Sequence, residues 1–304
     1  MNLTKTHIIL FVLTVITTFI SGYLIDGSVL SGIYFSFSLL LILGAHEMGH
    51  YYYARKHRVS VTPPYFIPAP PFISPIGTFG AVIKIKSRMN TKKELFDIGV
   101  AGPILGILFA FPILFIGLYF SRTINIDSDT IKGGIELGNS LIFLFFSKLI
   151  FGNIPKESQI FLHPVAFAGW IGLLVTALNL IPSGQLDGGH IVYSVFPKKW
   201  HTNISKIVIA ILIIFGFGTE PIFFLLKNYN IFDVDGSILS FLKFEGWLGW
   251  LLWGLILTFL GTKHPPTFFD EVDIGLKRKI IAVIALLIFI ICFAPVPIKI
   301  IQSG

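Results

Sequence analysis

The sequence predicts an all-α polytopic membrane protein of about six to seven transmembrane helices, with a small membrane-associated β-hairpin after the second span. Three observations carry that expectation. Of 304 residues, 54% are hydrophobic and only 13% charged, whereas soluble domains are roughly a quarter charged. Mean hydropathy is +0.82, and the apolar residues gather in runs long enough to cross lipid. The 23 basic residues fall between those runs, so the net charge of +7 reads as membrane topology and excludes a nucleic-acid surface. A single cysteine, Cys292, rules out an internal disulfide.

The elements follow in order. A first run, from about Ile8 to Ile25, has one lysine before it and no small-residue cleavage pattern, which predicts an uncleaved span. The second covers about Val29 to Tyr53. Pro63, Pro64, Pro68, Pro70, Pro71 and Pro75 then exclude a continuous helix. From Gly77 to Lys86 the chain turns β-branched and alternating, the pattern of a short strand. Further spans are expected at about Ile98 to Phe120, Pro164 to Ile181 and Ile204 to Leu226. Leu141 to Phe151, interrupted by Lys148, is too short to cross and predicts an interfacial or re-entrant helix. Trp247 to Leu260 and Ile280 to Ala294 are also short, which leaves the count at six or seven. Trp247, Trp250 and Trp253 fit an interfacial belt and helix packing. No repeat or large soluble insert divides the chain. It reads as one domain over residues 1–304, with a catalytic core at about 28–195 and accessory spans at about 204–300.

Orientation follows from charge. With the N-terminus in the cytoplasm and seven crossings, the inner segments hold Arg55, Lys56, Arg58, Lys84, Lys86, Arg88, Lys92 and Lys93, then Lys198 and Lys199, then Lys277, Arg278 and Lys279. Sixteen of the 23 basic residues, Lys5, Lys206 and Lys263 included, fall inside and seven in the outer loops, which also hold Asp127, Asp129, Asp233, Asp235 and Glu245, so the positive-inside rule is met. The second and fourth spans then both descend. Their cytoplasmic ends carry the two polar knots of the chain, His46-Glu47-Met48-Gly49-His50 and the stretch from Asn179 to His190.

Those knots carry the chemistry. At helical pitch His46 and His50 share one face, so both imidazoles can reach one ion. Glu47 stands one position round, where a general base takes a proton from water. Ionisable side chains in a span are costly and mark a functional site. A catalytic zinc takes three protein ligands and leaves one position open, and Asp187 is the best third ligand. Pro182, Gly184, Gly188 and Gly189 predict an irregular chain around it, which at membrane depth is tolerated only in protein or beside a wet cavity.

The paired His-Glu-x-x-His and Asn-x-x-Pro/Leu-Asp-Gly motifs, with Gly99, Gly102, Pro103 and Gly106 between them, resemble the site-2 protease family of intramembrane zinc metalloproteases, peptidase family M50. The stretch Asn-Leu-Ile-Pro-x-Gly-Gln-Leu-Asp-Gly-Gly-His is similar to the compact bacterial and plastid type, without PDZ or CBS domains. The resemblance implies one Zn2+ on His46, His50 and Asp187, with Glu47 as the base. It implies that Asn179 orients substrate or stabilises the oxyanion, interhelical hydrogen bonding being an equally good reading. It also implies a substrate-holding hairpin whose Gly-x-Phe-Gly is matched by Gly77, Phe79 and Gly80. Transmembrane proteins in the bilayer would be the substrates, and regulated intramembrane proteolysis the activity. The short N-terminus without a transit peptide favours a bacterial inner membrane, with the site toward the cytoplasm.

Other readings stand beside these. The same centre would serve a membrane zinc hydrolase of another amide or of a lipid, and broken helices with buried carboxylates also occur in transporters. Gly102 and Gly106 read as close helix packing. His57, His163, His201 and His264 read as hydrated residues at span ends or in loops, and His190 as a residue beside the site.

Overall fold

The structure is a computed structural model that describes residues 3–125, 135–155, 158–219, 246–270 and 273–300. Asp127, Asp129, Asp233, Asp235 and Glu245, and the end of the run expected to Leu226, lie outside the described residues. The chain is mostly helical, with small sheets. Among the described residues, four helices are long and apolar enough to span a membrane: α1 (Lys5–Tyr23), α2 (Val29–Lys56), α3 (Lys92–Tyr119) and α7 (Lys198–Phe217). At 1.5 Å per residue the longer two reach about 42 Å, enough to cross the hydrocarbon with a margin at each end. Shorter helices are α4 (Leu141–Phe151), α5 (Pro164–Asn179), α6 (Asp187–Val195), α8 (Leu248–Leu260) and α9 (Leu276–Cys292).

Local chemistry sets several of these ends. Thr91 caps α3 by accepting from the Glu94 backbone N–H at 3.3 Å, while the Glu94 carboxylate accepts from Asn90 N–H at 2.8 Å. Ser140 caps α4, and His163 caps α5 with Pro164 at the first helical position. Pro103 and Pro112 sit inside α3; Pro103 is buried, where packed neighbours shield the carbonyl it frees, whereas Pro112 is exposed.

α3 is the centre of the bundle and packs against α2, α5 and α6. Phe35, Leu39 and Ile42 of α2, Ile107, Ala110 and Leu114 of α3, and Ile171 and Leu173 of α5 form the main core. Outside it, Phe37, Phe115, Phe259 and Leu286 stay exposed, a surface that water would not tolerate and lipid would cover.

Three two-stranded sheets are described, where the sequence predicted one. β1 (Tyr65–Pro68) pairs antiparallel with β2 (Thr78–Val82), Tyr65 opposite Val82 and Pro68 opposite Thr78. The strand expected to run to Lys86 ends at Val82, and Ile85 makes an isolated bridge to Val61. β3 (Arg122–Asn125) pairs with β5 (Ser158–Phe161), and β4 (Ile135–Leu137) with β6 (Ile298–Ile300). Trp250 departs from the belt reading. It is fully buried, and its indole N–H donates to the Pro295 carbonyl at 2.7 Å.

The hydrated-histidine reading fails for His201 and His264, while His57 and His163 do sit half-exposed at the ends of α2 and α5. His201 and His264 are buried, His57 Nε2 lies 2.9 Å from Asp97 Oδ2, and His163 accepts from Val165 N–H as a helix cap. Histidine is compact enough to fill a core gap, which span-end position alone does not reveal.

Candidate metal centre

The C-terminal half of α2 carries His46, Glu47 and His50, all less than 9% exposed. α6 begins at Asp187, and it lies against α3. The chain between α5 and α6 doubles back through short turns, Ser183 N–H to Ile181 O at 2.8 Å and Leu186 N–H to Ser183 O at 3.2 Å. His201 of α7 is 3.2 Å from the Gly184 carbonyl and steadies this loop. Gly188 and Gly189, expected in irregular backbone, are helical. Their role is close approach: a Cβ on Gly189 would come within 2.6 Å of the Ser183 carbonyl.

The geometry at the meeting point is compact. His46 Nε2 and His50 Nε2 are 3.1 Å apart, and Asp187 Oδ2 is 3.3 Å from each. A tetrahedral zinc with ligands at about 2.0–2.1 Å sets its donor atoms about 3.3 Å apart, so the triangle has the size of one face of that polyhedron. Its chemistry fits as well. His50 Nδ1 lies 2.7 Å from the Ile98 carbonyl, which can only accept, so Nδ1 carries the proton and a neutral ring turns the Nε2 lone pair inward. Two imidazole nitrogens and a carboxylate oxygen converging at this spacing are the donor set of a hydrolytic zinc site. A cation satisfies them.

Glu47 is buried beside this triangle without being part of it, and the Ile83 backbone N–H, just past β2, lies against its carboxylate. Gly102 and Gly106 turn out to be the floor of the site. A Cβ on Gly102 would collide with His50 Nε2, and one on Gly106 would sit 3.1 Å from His46 Nδ1. The close-packing reading holds, since α3 lies directly against α2 here, but a small-x-x-x-small spacing does not say that the side chains it admits are His46 and His50.

The other expected residues lie at the end of α5 and in the hairpin. Asn179 is the last residue of α5 and is half-buried. Gly77, in the hairpin turn with φ 77°, packs against the Thr17 carbonyl of α1 rather than facing open space. Phe79 is exposed on β2, and a Cβ at Gly80 would meet nothing.

Comparison with known proteins agrees with this centre. The model of peptidase family M50 matches residues 34–219. The chain is 29% identical over 265 residues to a protein named probable zinc metalloprotease EGY1, chloroplastic, of Oryza sativa subsp. japonica, covering 86% of this chain and 40% of that one. It is 31% identical over 177 residues to probable zinc metalloprotease EGY2, chloroplastic, of Arabidopsis thaliana, covering 57% and 30%. A third relative, probable zinc metallopeptidase EGY3, chloroplastic, of the same plant, is 25% identical over 251 residues, covering 79% and 38%. The chain thus spans less than half the length of these curated relatives. No solved structure matches it. The matched region is more than half of the sequence and contains all three converging side chains, and the chain belongs to peptidase family M50.

Proposed function

We propose that this chain is a zinc-dependent intramembrane endopeptidase that cuts peptide bonds in or near transmembrane segments of membrane proteins. The observation that carries the reading is the convergence of His46, His50 and Asp187 beside a buried Glu47 on a helix long enough to span lipid. His46, His50 and Asp187 would hold one zinc ion. When bound there, zinc supplies a Lewis acid and brings the pKa of water near neutrality.

The remaining work falls to the chain. Glu47 takes the proton of the attacking water and returns it to the leaving amine. Burial keeps bulk water from the site, so this carboxylate is the proton carrier at hand. Asn179 donates to the developing oxyanion or to substrate backbone. A transmembrane helix hides its peptide bonds, so the substrate has to unwind. The free edge of β2 would hold the unwound segment by strand addition, with Gly80 leaving room and Phe79 touching side chains. The contact of Ile83 with Glu47 supports this, because it brings that edge beside the base.

We assign the catalytic core to about 28–195 and accessory spans to about 204–300, a division supported by the family match over 34–219. Seven crossings result if α5, α8 and α9 also traverse, and six if one of the short C-terminal helices does not, the short α5 being shielded by α2 and α3 on either side. The lysine and arginine pattern supports a site facing the cytoplasm of a bacterial membrane, or the equivalent face in plastids, whose name the curated relatives carry. The test is incubation of the purified chain with candidate single-span proteins, with and without a chelator, and fragment masses as readout. Chelator-sensitive cuts within the apolar segment are expected. Absence of cuts in every candidate, or cuts that survive the chelator, would count against the proposal.

A further inference from the structure

Beyond residue 219, where the family match ends, the segment Gly261–Asp270 after α8 returns to the site. His264, in that segment, is buried, and its Nδ1 lies 2.6 Å from the Pro265 carbonyl. A carbonyl can only accept, so Nδ1 carries the proton. Burial pushes His264 down to about 4 and His190 to about 3, so both rings are neutral near pH 7. His264 Nε2 is then an acceptor, and His190 Nδ1, 2.8 Å away, must be its donor. The Pro265 carbonyl thereby fixes the tautomers of two imidazoles in series.

The receiving end is the metal-site helix. His190 follows Asp187 by three residues in α6, so the two side chains are neighbours on one face. That face meets α3 at Gly99, where a Cβ would come within 2.8 Å of His190 Cβ. The residue before Gly99 is Ile98, whose carbonyl orients His50. The segment itself is well anchored. Tyr193 of α6 stacks on the His264 ring with centroids 4.4 Å apart, and its hydroxyl donates to Asp270 at 2.7 Å. Phe269 N–H donates to Asn90 O at 2.8 Å, and Arg88 Nε to Pro266 O at 2.8 Å, tying it to the chain that enters α3.

We propose that His264 is a positioning residue for the metal centre: by accepting from His190 it locks the first turn of α6, and so holds Asp187 against the two histidines. A segment outside the matched family region thus completes the support of the site within it. The proposal rests on the reading that His46, His50 and Asp187 bind zinc.

The test uses the full chain, with zinc alone as the first probe and fluorescent casein as the second. In H264F the ring and its stacking remain but the acceptor is lost. In H264Q the amide oxygen restores an acceptor near the Nε2 position. Zinc affinity, by competition with a chelating dye, should fall about tenfold in H264F, the low end of what outer partners of metal ligands contribute. It should return to within about threefold of wild type in H264Q. Casein turnover should show the same order in kcat with KM unchanged. If H264F does not accumulate, H264Q against H264N decides, since asparagine is too short to reach His190; equal zinc affinity in the two overturns the proposal. A wild type that takes up no zinc overturns both this inference and the reading beneath it. A wild type that takes up zinc, with H264F equal to it or H264Q no better than H264F, overturns the positioning role alone.

Discussion

Substituting Gly102 by alanine perturbs the centre with one methyl group and leaves every ligand in the sequence. The added Cβ would lie 2.5 Å from His50 Cε1 and nearer still to Nε2, where ordinary contact begins at 3.4 Å, so the ring has to retreat by more than about 0.9 Å. A functional constellation tolerates about 0.5 Å before it loses its geometry. The retreat also strains the 2.7 Å contact between His50 Nδ1 and the Ile98 carbonyl. Loss of that kind of support lowers metal affinity by about 10- to 100-fold, or about 1.4–2.8 kcal/mol. Alanine is the better helix former by about 1 kcal/mol, so a broken α3 cannot explain the loss. Gly106→Ala is the control. Its Cβ would meet His46 Nδ1 at 3.1 Å, which a shift of a few tenths of an ångström relieves. Chelator competition on both purified variants should therefore show a large deficit in G102A and a small one in G106A. Equal affinities in the two, or a larger loss in G106A, would refute the reasoning.

Further expectations concern the base, the metal and the frame. Glu47→Gln should keep its zinc, measured by elemental analysis, while turnover falls about 10²- to 10⁴-fold, as for loss of a general acid–base group; retained turnover would remove Glu47 from the mechanism. A strong chelator should abolish cleavage by the wild type and added zinc should restore it, whereas a transporter using these histidines would keep its flux in E47Q. Asp97 accepts from Arg278 through two 2.8 Å contacts and faces His57 at 2.9 Å, joining α2, α3 and α9. Asp97→Asn should lower the thermal midpoint by several degrees, as loss of about 1.5–3 kcal/mol would, with zinc content intact; an unchanged midpoint would show that this cluster adds nothing.

Much of this was legible in the residues because the bilayer makes the signals strong. A polar cluster inside the run from Val29 cannot be incidental in lipid, and α2 and α3 follow from apolar length alone. Asp187 was legible from its motif, yet its place as the first residue of a helix was not, since Pro182 and three nearby glycines all argue locally for loop. Tertiary approach explains the difference: Gly188 and Gly189 serve contact, not flexibility. The β4–β6 pairing joins residues near 136 and 299, a separation across which no local pattern reports. The burial of His264 likewise depends on Tyr193 and Asp270 meeting it from different parts of the chain, so nothing within a few residues of it gives that away.

The most direct examination of the account is X-ray absorption at the zinc edge, on the zinc-loaded wild type and on Asp187→Asn. Two imidazole nitrogens and one carboxylate oxygen at about 2.0–2.1 Å are expected in the wild type, with a changed oxygen shell and weaker retention in the variant. A spectrum without imidazole scattering, or one identical in the two proteins, would contradict the claim that these three side chains clasp a single ion.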